Sequence, residues 1–240
     1  MDVDECIGRL EAEGSLLTAV IEDADWNARV PATSWDLRSL VVHVGAVHRW
    51  ANDAIVRRLA INETRGSSAF RGDVPDAELR VWFADGLAAI VATLRAAGDD
   101  LSVFTFLQSP TPRHFWARRQ AHETAIHRAD AEAAIGDVTP FDADFAQDGL
   151  AELVGGFAYE RGFASDTAGT LALDCTDGPS WLVTFGEERN RTVETENISS
   201  ATATVRGTSS ALYLWTWNRP APVHTEGDEA TIHLWQRIRI

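Results

Sequence analysis

The chain has 240 residues, of which 45% are hydrophobic and 24% charged, the composition of a globular protein with one large domain or two small ones. A formal net charge of -15 argues against nucleic acid and anionic membranes as partners, yet leaves room for a small anionic substrate at a locally positive spot. No apolar run reaches the length of a membrane span, and the acidic start MDVDECIGRL lacks the apolar stretch of a signal peptide. The two cysteines, Cys6 and Cys175, form no CxxC pattern, so a reducing cytoplasm is the expected setting. Asn62 and Asn197 open glycosylation-type triplets that, without a secretory signal, are read as chance matches.

Residues 3 to about 25 have helical periodicity, with Ile7, Leu10, Leu17, Val20, Ile21 and Ala24 on the apolar face and Glu11, Glu13 and Glu22 off it. A second helix is expected to start with Thr33 as cap and Asp36 as its reciprocal partner and to run to about Ala60. It carries two apolar stripes, one through Val41, Val44 and His48, the other through Leu40, His43 and Val47, as in a helix packed on more than one side. Residues 61–74 are polar and glycine-containing, a long connection. A third helix spans Pro75 to Ala97, with Leu79, Phe83, Leu87, Ile90 and Leu94 inward and Gly98 closing it. Thr111-Pro112 opens a fourth helix that Gly136 ends after Ile135. Four long amphipathic segments predict a four-helix bundle.

After Pro140 the period shortens. Phe145 to about Phe163 reads as a helix, followed by strands around residues 171–173, 181–185, 191–194 and 203–205, then helices over Ser209–Trp217 and from Thr231 to the end. The fold class is α+β: a bundle over residues 1–140 and a small α+β domain over 141–240, with the boundary between 138 and 145.

The fourth helix is the unusual one. Trp116, Gln120, Glu123, His127, Asp130 and Ala134 fall on one line, beside a small apolar line of Ile126, Ala129 and Ala133. Burying that side carries a glutamate and a histidine inward, one turn apart, and a buried carboxylate needs a partner or a metal. His43, where an aliphatic residue is expected on the second helix, makes a third inward donor. His43, Glu123 and His127 form a three-ligand set with an open position, the catalytic pattern for zinc, and Asp130 can orient an imidazole. A core histidine bonded to a neighbour is the competing reading for His43. His48 and His122 are read as structural or exposed. The Glu-x-x-x-His spacing differs from the HExxH zincin motif, so Glu123 is a ligand and not a base.

The stretches SWDLRSLVVHVGAVHRW and RRQAHETAIHRADAEAA resemble the mycothiol-dependent maleylpyruvate isomerase family of the DinB-like metal-binding superfamily. The later stretches TDGPSWLVTF and ATATVRGTSSALYLWTWNRPAPVHTEGDEA are similar to that family's sterol-carrier-like C-terminal domain. The resemblance implies that His43, Glu123 and His127 hold a divalent ion, zinc by preference, and that mycothiol is the thiol cofactor. It also implies that an arginine after the tryptophan-rich helix, Arg219 with Arg206 as runner-up, binds a substrate carboxylate. No cysteine of the chain has the setting of a catalytic thiol, so the nucleophile comes from the cofactor. The implied activity is isomerisation or S-transfer on a small carboxylate-bearing substrate such as maleylpyruvate, by a monomer or homodimer. A non-catalytic metal- or ligand-binding protein and a metal-dependent hydrolase are the alternatives on the same scaffold.

Overall fold

The structure, a computed structural model, describes residues 1–63, 66–98, 100–158, 169–186 and 190–237. The chain divides into two compact units, Met1–Thr139 and Pro140–Ile240.

The first unit contains four long helices: α1 (Val3–Val20), α2 (Leu37–Val56), α3 (Asp76–Ala96) and α4 (Pro112–Ile135). Helix α1 packs on α3 and α4, and α2 packs on the same two. Its start is a capping box: Asp2 accepts from the Glu5 amide and Glu5 accepts from the Asp2 amide. It ends at Val20, short of the expected 25. Ile21 is fully buried and its carbonyl accepts from Arg80 Nε, after which Asp25 turns the chain by accepting from the Asn27 amide. Residues 26–28 then run beside the start of α2, where the carbonyls of Ala28 and Trp26 accept from Leu37 and Arg38. This pairing moves the cap of α2. Asp36, bridged to Arg29, accepts from the Ser39 amide, while Thr33 Oγ1 accepts from Trp35 instead of capping the helix. At the far end α2 stops at Val56, and Arg58 turns the chain with φ 50°.

The long connection holds one 3-10 turn, Gly66–Phe70. Thr111 caps α4 by accepting from the His114 amide, with Pro112 at the first helical position. Glu13 departs from the periodicity reading. It lies inward, 6% exposed, because Arg128 of α4 donates to it at 2.8 Å and to Glu132 at 2.6 Å. A hydrophobic cluster around Leu17, Ile21, Leu37, Leu40, Val41, Val44 and Phe83 joins α1, α2 and α3.

In the second unit α5 (Ala143–Glu152) continues into one π turn, Leu153–Phe157. The remainder of the helix expected to Phe163 lies outside the described residues beyond Ala158. Strands β1 (Thr170–Cys175), β2 (Ser180–Thr184), β3 (Arg191–Thr195), β4 (Ala203–Gly207) and β5 (His224–Gly227) form one sheet in the order β3-β2-β1-β4-β5. Among the described strands only the β1–β4 pair is parallel, with Leu171 opposite Ala203. Helices α6 (Ser209–Thr216) and α7 (Glu229–Gln236) pack on β1 and β4, and α5 packs on α6. The final helix was expected to reach the chain end, but residues 238–240 lie outside the description. Strand β5 is an addition to the expected elements. Its sequence, His-Thr-Glu-Gly, is exposed throughout and has no apolar alternation, so only pairing with β4 reveals it.

Candidate metal centre

His43 comes from the middle of α2, Glu123 and His127 from the middle of α4. The three side chains meet. His43 Nε2 lies 3.0 Å from Glu123 Oε1, and His127 Nε2 lies 3.5 Å from the same oxygen. All three donor atoms lie within 4.8 Å of one another, a grouping able to hold a metal ion. The geometry follows from helix pitch: residues four apart in α4 face one way, and the α2–α4 contact brings His43 opposite them.

The surroundings prepare each donor. Asp130 Oδ2, fully inside, lies 3.0 Å from His127 Nδ1 and accepts its proton, which leaves Nε2 turned toward the centre. Arg119, one turn before Glu123, donates Nη2 to Glu123 Oε2 at 3.2 Å, so the glutamate's two oxygens serve different partners. Trp35, just before α2, packs at a tilt against both rings, with centroids 4.8 Å from His43 and 5.9 Å from His127 and interplanar angles of 43° and 37°. Burial disfavours the Glu123 carboxylate, but hydrogen bonds from His127 and His43 and the Arg119 charge outweigh it and hold its pKa well below the usual carboxylate range. Burial likewise opposes charge on His127. Hydrogen bonds to Asp130 and Glu123 win, and its pKa rises to about 9.

Two imidazole nitrogens and one carboxylate oxygen suit zinc or a similar ion. Held at about 2.0–2.2 Å in a tetrahedron, such donors stand about 3.4 Å apart. The 3.0 and 3.5 Å separations already present are of that size. His43 Nδ1 is buried with no hydrogen-bond partner among the described residues, so its ring is held by the tilted Trp35 contact and by the Nε2 contact with Glu123. His48 is a different kind of residue. It is fully buried, its Nε2 bonds Thr124 Oγ1 at 2.9 Å, and burial pushes its pKa down to about 3. His122 is also buried, at 1% exposure.

The two C-terminal arginines lie in the second unit. Arg206 of β4 pairs with Asp174, its register partner on β1, and is more than half exposed. Arg219 follows α6, where Asn218 adopts φ 59°, and its Nη1 donates to the Trp217 carbonyl at 2.7 Å. Sequence periodicity did not assign Trp35 or Arg119 to the centre. For Arg119 the available signal was its place four residues before Glu123, the spacing of a helical ion pair.

A family model for the mycothiol maleylpyruvate isomerase N-terminal domain matches residues 7–132, and one for the MDMPI C-terminal domain matches residues 144–233. The chain belongs to the mycothiol maleylpyruvate isomerase family. A crystal structure of the mycothiol-dependent maleylpyruvate isomerase is similar at TM-score 0.65 and 12% identity, over 95% of both chains. A structure of that enzyme with a histidine-to-alanine substitution gives TM-score 0.64 and 13% identity over the same shares. At these identities the likeness speaks for the α+β fold of the family. No curated protein sequence matches the chain. No helix among the described residues is long and apolar enough to cross a membrane.

Proposed function

We propose that the chain is a thiol-dependent isomerase that uses mycothiol and a divalent ion, zinc by preference, on a small carboxylate-bearing substrate such as maleylpyruvate. The observation that carries this reading is the convergence of two histidine Nε2 atoms on one oxygen of Glu123. Membership of the family supports it. A divalent ion held by His43, Glu123 and His127 supplies stabilisation of the thiolate, the nucleophilic form of a small thiol.

The chain's own residues do the rest. Asp130 orients the His127 ring with Nε2 toward the centre, and the hydrogen bonds of His127 and His43, with the Arg119 charge, keep Glu123 ionised. The ring of Trp35 packs against both imidazoles and limits their rotation. Neither cysteine supplies the nucleophile. Cys6 is buried, and burial pushes the Cys175 thiol up while Ser209 and Asp177 engage its sulfur. The thiolate therefore comes from the cofactor. When bound, that thiol would supply reversible nucleophilic addition to a conjugated double bond, a net isomerisation that needs no oxidant or reductant. Arg219, with Arg206 second, is the carboxylate partner in this reading, through bidentate hydrogen bonding.

Replacing His127 by Ala tests it. The neighbours Ala125, Ile126 and Ala129 are buried and apolar, and alanine is the best helix former, so α4 should persist. Metal content by elemental analysis and thiol-dependent turnover should both fall to background while circular dichroism stays unchanged. Stoichiometric metal with full turnover in this variant rules the reading out. In the unaltered protein, turnover without thiol marks a hydrolase, and no turnover with any thiol acceptor marks a binding protein.

A further inference from the structure

Gln120 is fully buried on α4, yet neither its amide nitrogen nor its amide oxygen has a hydrogen-bond partner among the described residues. A buried polar atom left unpaired is destabilising, and Gln120 holds two of them among the described residues. A leucine of similar volume avoids that cost, and α4 is otherwise well supplied with paired polar groups.

Its position relates it to the metal centre. Gln120 precedes His127 by seven residues, so the two side chains leave α4 about 20° apart, on the same face. Side chains of a helix lean toward its N-terminus, so His127 reaches back to the level of Glu123, as their 3.5 Å contact records. Gln120 lies one turn further on, about 5 Å along the axis from Glu123. On α2 the corresponding level falls between His43, which meets Glu123, and Trp50, whose ring packs edge-on against Trp116 at 5.2 Å. In that stretch Val47 is buried and has no side-chain hydrogen-bonding group, and the Nε2 of buried His48 is engaged by Thr124 Oγ1 at 2.9 Å.

The two unmet atoms state what they need. Nε2 donates and Oε1 accepts. A carboxylate satisfies only the first and an ammonium only the second, whereas a secondary amide offers a carbonyl and an N–H together. We propose that Gln120 is a specificity contact for an amide group of the thiol that the metal centre would bind, one helical turn from Glu123. The assignment rests on the thiol-activating reading of that centre.

The test uses the full chain loaded with cobalt(II), whose thiolate charge-transfer absorption reports sulfur binding without turnover. N-acetylcysteamine carries an amide two carbons from sulfur, and 1-pentanethiol has the same chain length without it. The unaltered protein should bind the amide thiol about tenfold or more tightly than the alkyl thiol, because binding the analogue leaves buried polar groups unpaired. In Gln120→Leu the preference should vanish or reverse, while the alkyl thiol still gives the band. The metal-free variant should melt at or above the parent's temperature, since an unpaired amide has been removed. An unchanged preference overturns the proposal. So does a melting temperature several degrees lower, which means that a buried water or other internal partner already satisfies the amide. Absence of a thiolate band with either thiol in the unaltered protein sinks the thiol-activating reading itself, and the Gln120 assignment with it.

Discussion

Two helices of this protein are buried almost all round, and they are buried for different reasons. Helix α6 encloses Ala211, Leu212, Tyr213, Leu214 and Trp215 at its middle and keeps its polar residues to the ends. There Ser209 donates to Asp177, Ser210 accepts from the Phe141 amide, and Thr216 donates to the Tyr213 carbonyl. Helix α4 encloses Arg119, Gln120, Thr124, His127, Arg128, Asp130 and Glu132 along its whole length. A helix is stabilised by burying apolar surface, so α6 needs no further account. Each polar group of α4 is costly unless paired, and the pairing sorts the helix into parts. Arg128 with Glu13 and Glu132 ties α4 to α1. Glu123, His127, Asp130 and Arg119 converge with His43 from α2. Gln120 is left with its amide unmet.

The contrast breaks most sharply at Arg128. Arg128→Met leaves two carboxylates facing the interior without their cation, and should cost about 3–5 kcal/mol, read as a lower denaturation midpoint of the first unit. The matching change in α6, Leu212→Ala, removes only apolar volume and should cost the second unit about 2–5 kcal/mol through the cavity it leaves. Its loss should be the same at every pH between 6 and 9. If Arg128→Met costs less than 1 kcal/mol, the ion pairs are not what hold α4 on α1.

A pH titration of the metal-free protein sharpens the difference further. The folded pKa of His127, about 9, lies above its ordinary value near 6.5. The stability this adds is therefore fully present below about pH 6.5 and is lost as pH rises through about 9, at most about 3 kcal/mol. A metal ion needs the neutral ring, so its affinity should rise over the same interval and binding should release a proton below pH 9. Melting curves at pH 6 and pH 9.5, with and without zinc, measure both trends. A metal-free protein equally stable at the two values contradicts them.

The smallest expected effect concerns Asp130. Asp130→Asn keeps the shape but removes the charge that orients His127, and should weaken metal binding about 10–100-fold without unfolding the bundle. A competition assay with a metallochromic chelator reads this directly. Unaltered affinity would mean that Asp130 only fills space between α4 and its neighbours.

Much of this was legible in the sequence because it depends on local periodicity. The 3.6-residue repeat outlined the four helices, Thr111-Pro112 marked where α4 begins, and the i, i+4 spacing set Glu123 and His127 on one face. That the second unit mixes strands and helices was equally visible in the shorter period after Pro140. What local pattern does not carry is pairing between distant segments. Asp36, not Thr33, caps α2 because residues 26–29 run back along it. Glu13 turns inward because Arg128, 115 positions later, meets it there. Strand β5 exists because β4 offers it an edge, not because its own residues favour a strand. The same holds within the centre. Sequence nominated His43, Glu123 and His127 by residue type and spacing, but the 3.0 Å approach of His43 to Glu123 spans 80 positions and is set by how α2 packs on α4. Trp35 against the imidazoles, Arg119 on the glutamate's second oxygen and the unmet amide of Gln120 are products of that packing, since hydrogen bonds and ring contacts depend on distances that only tertiary structure determines.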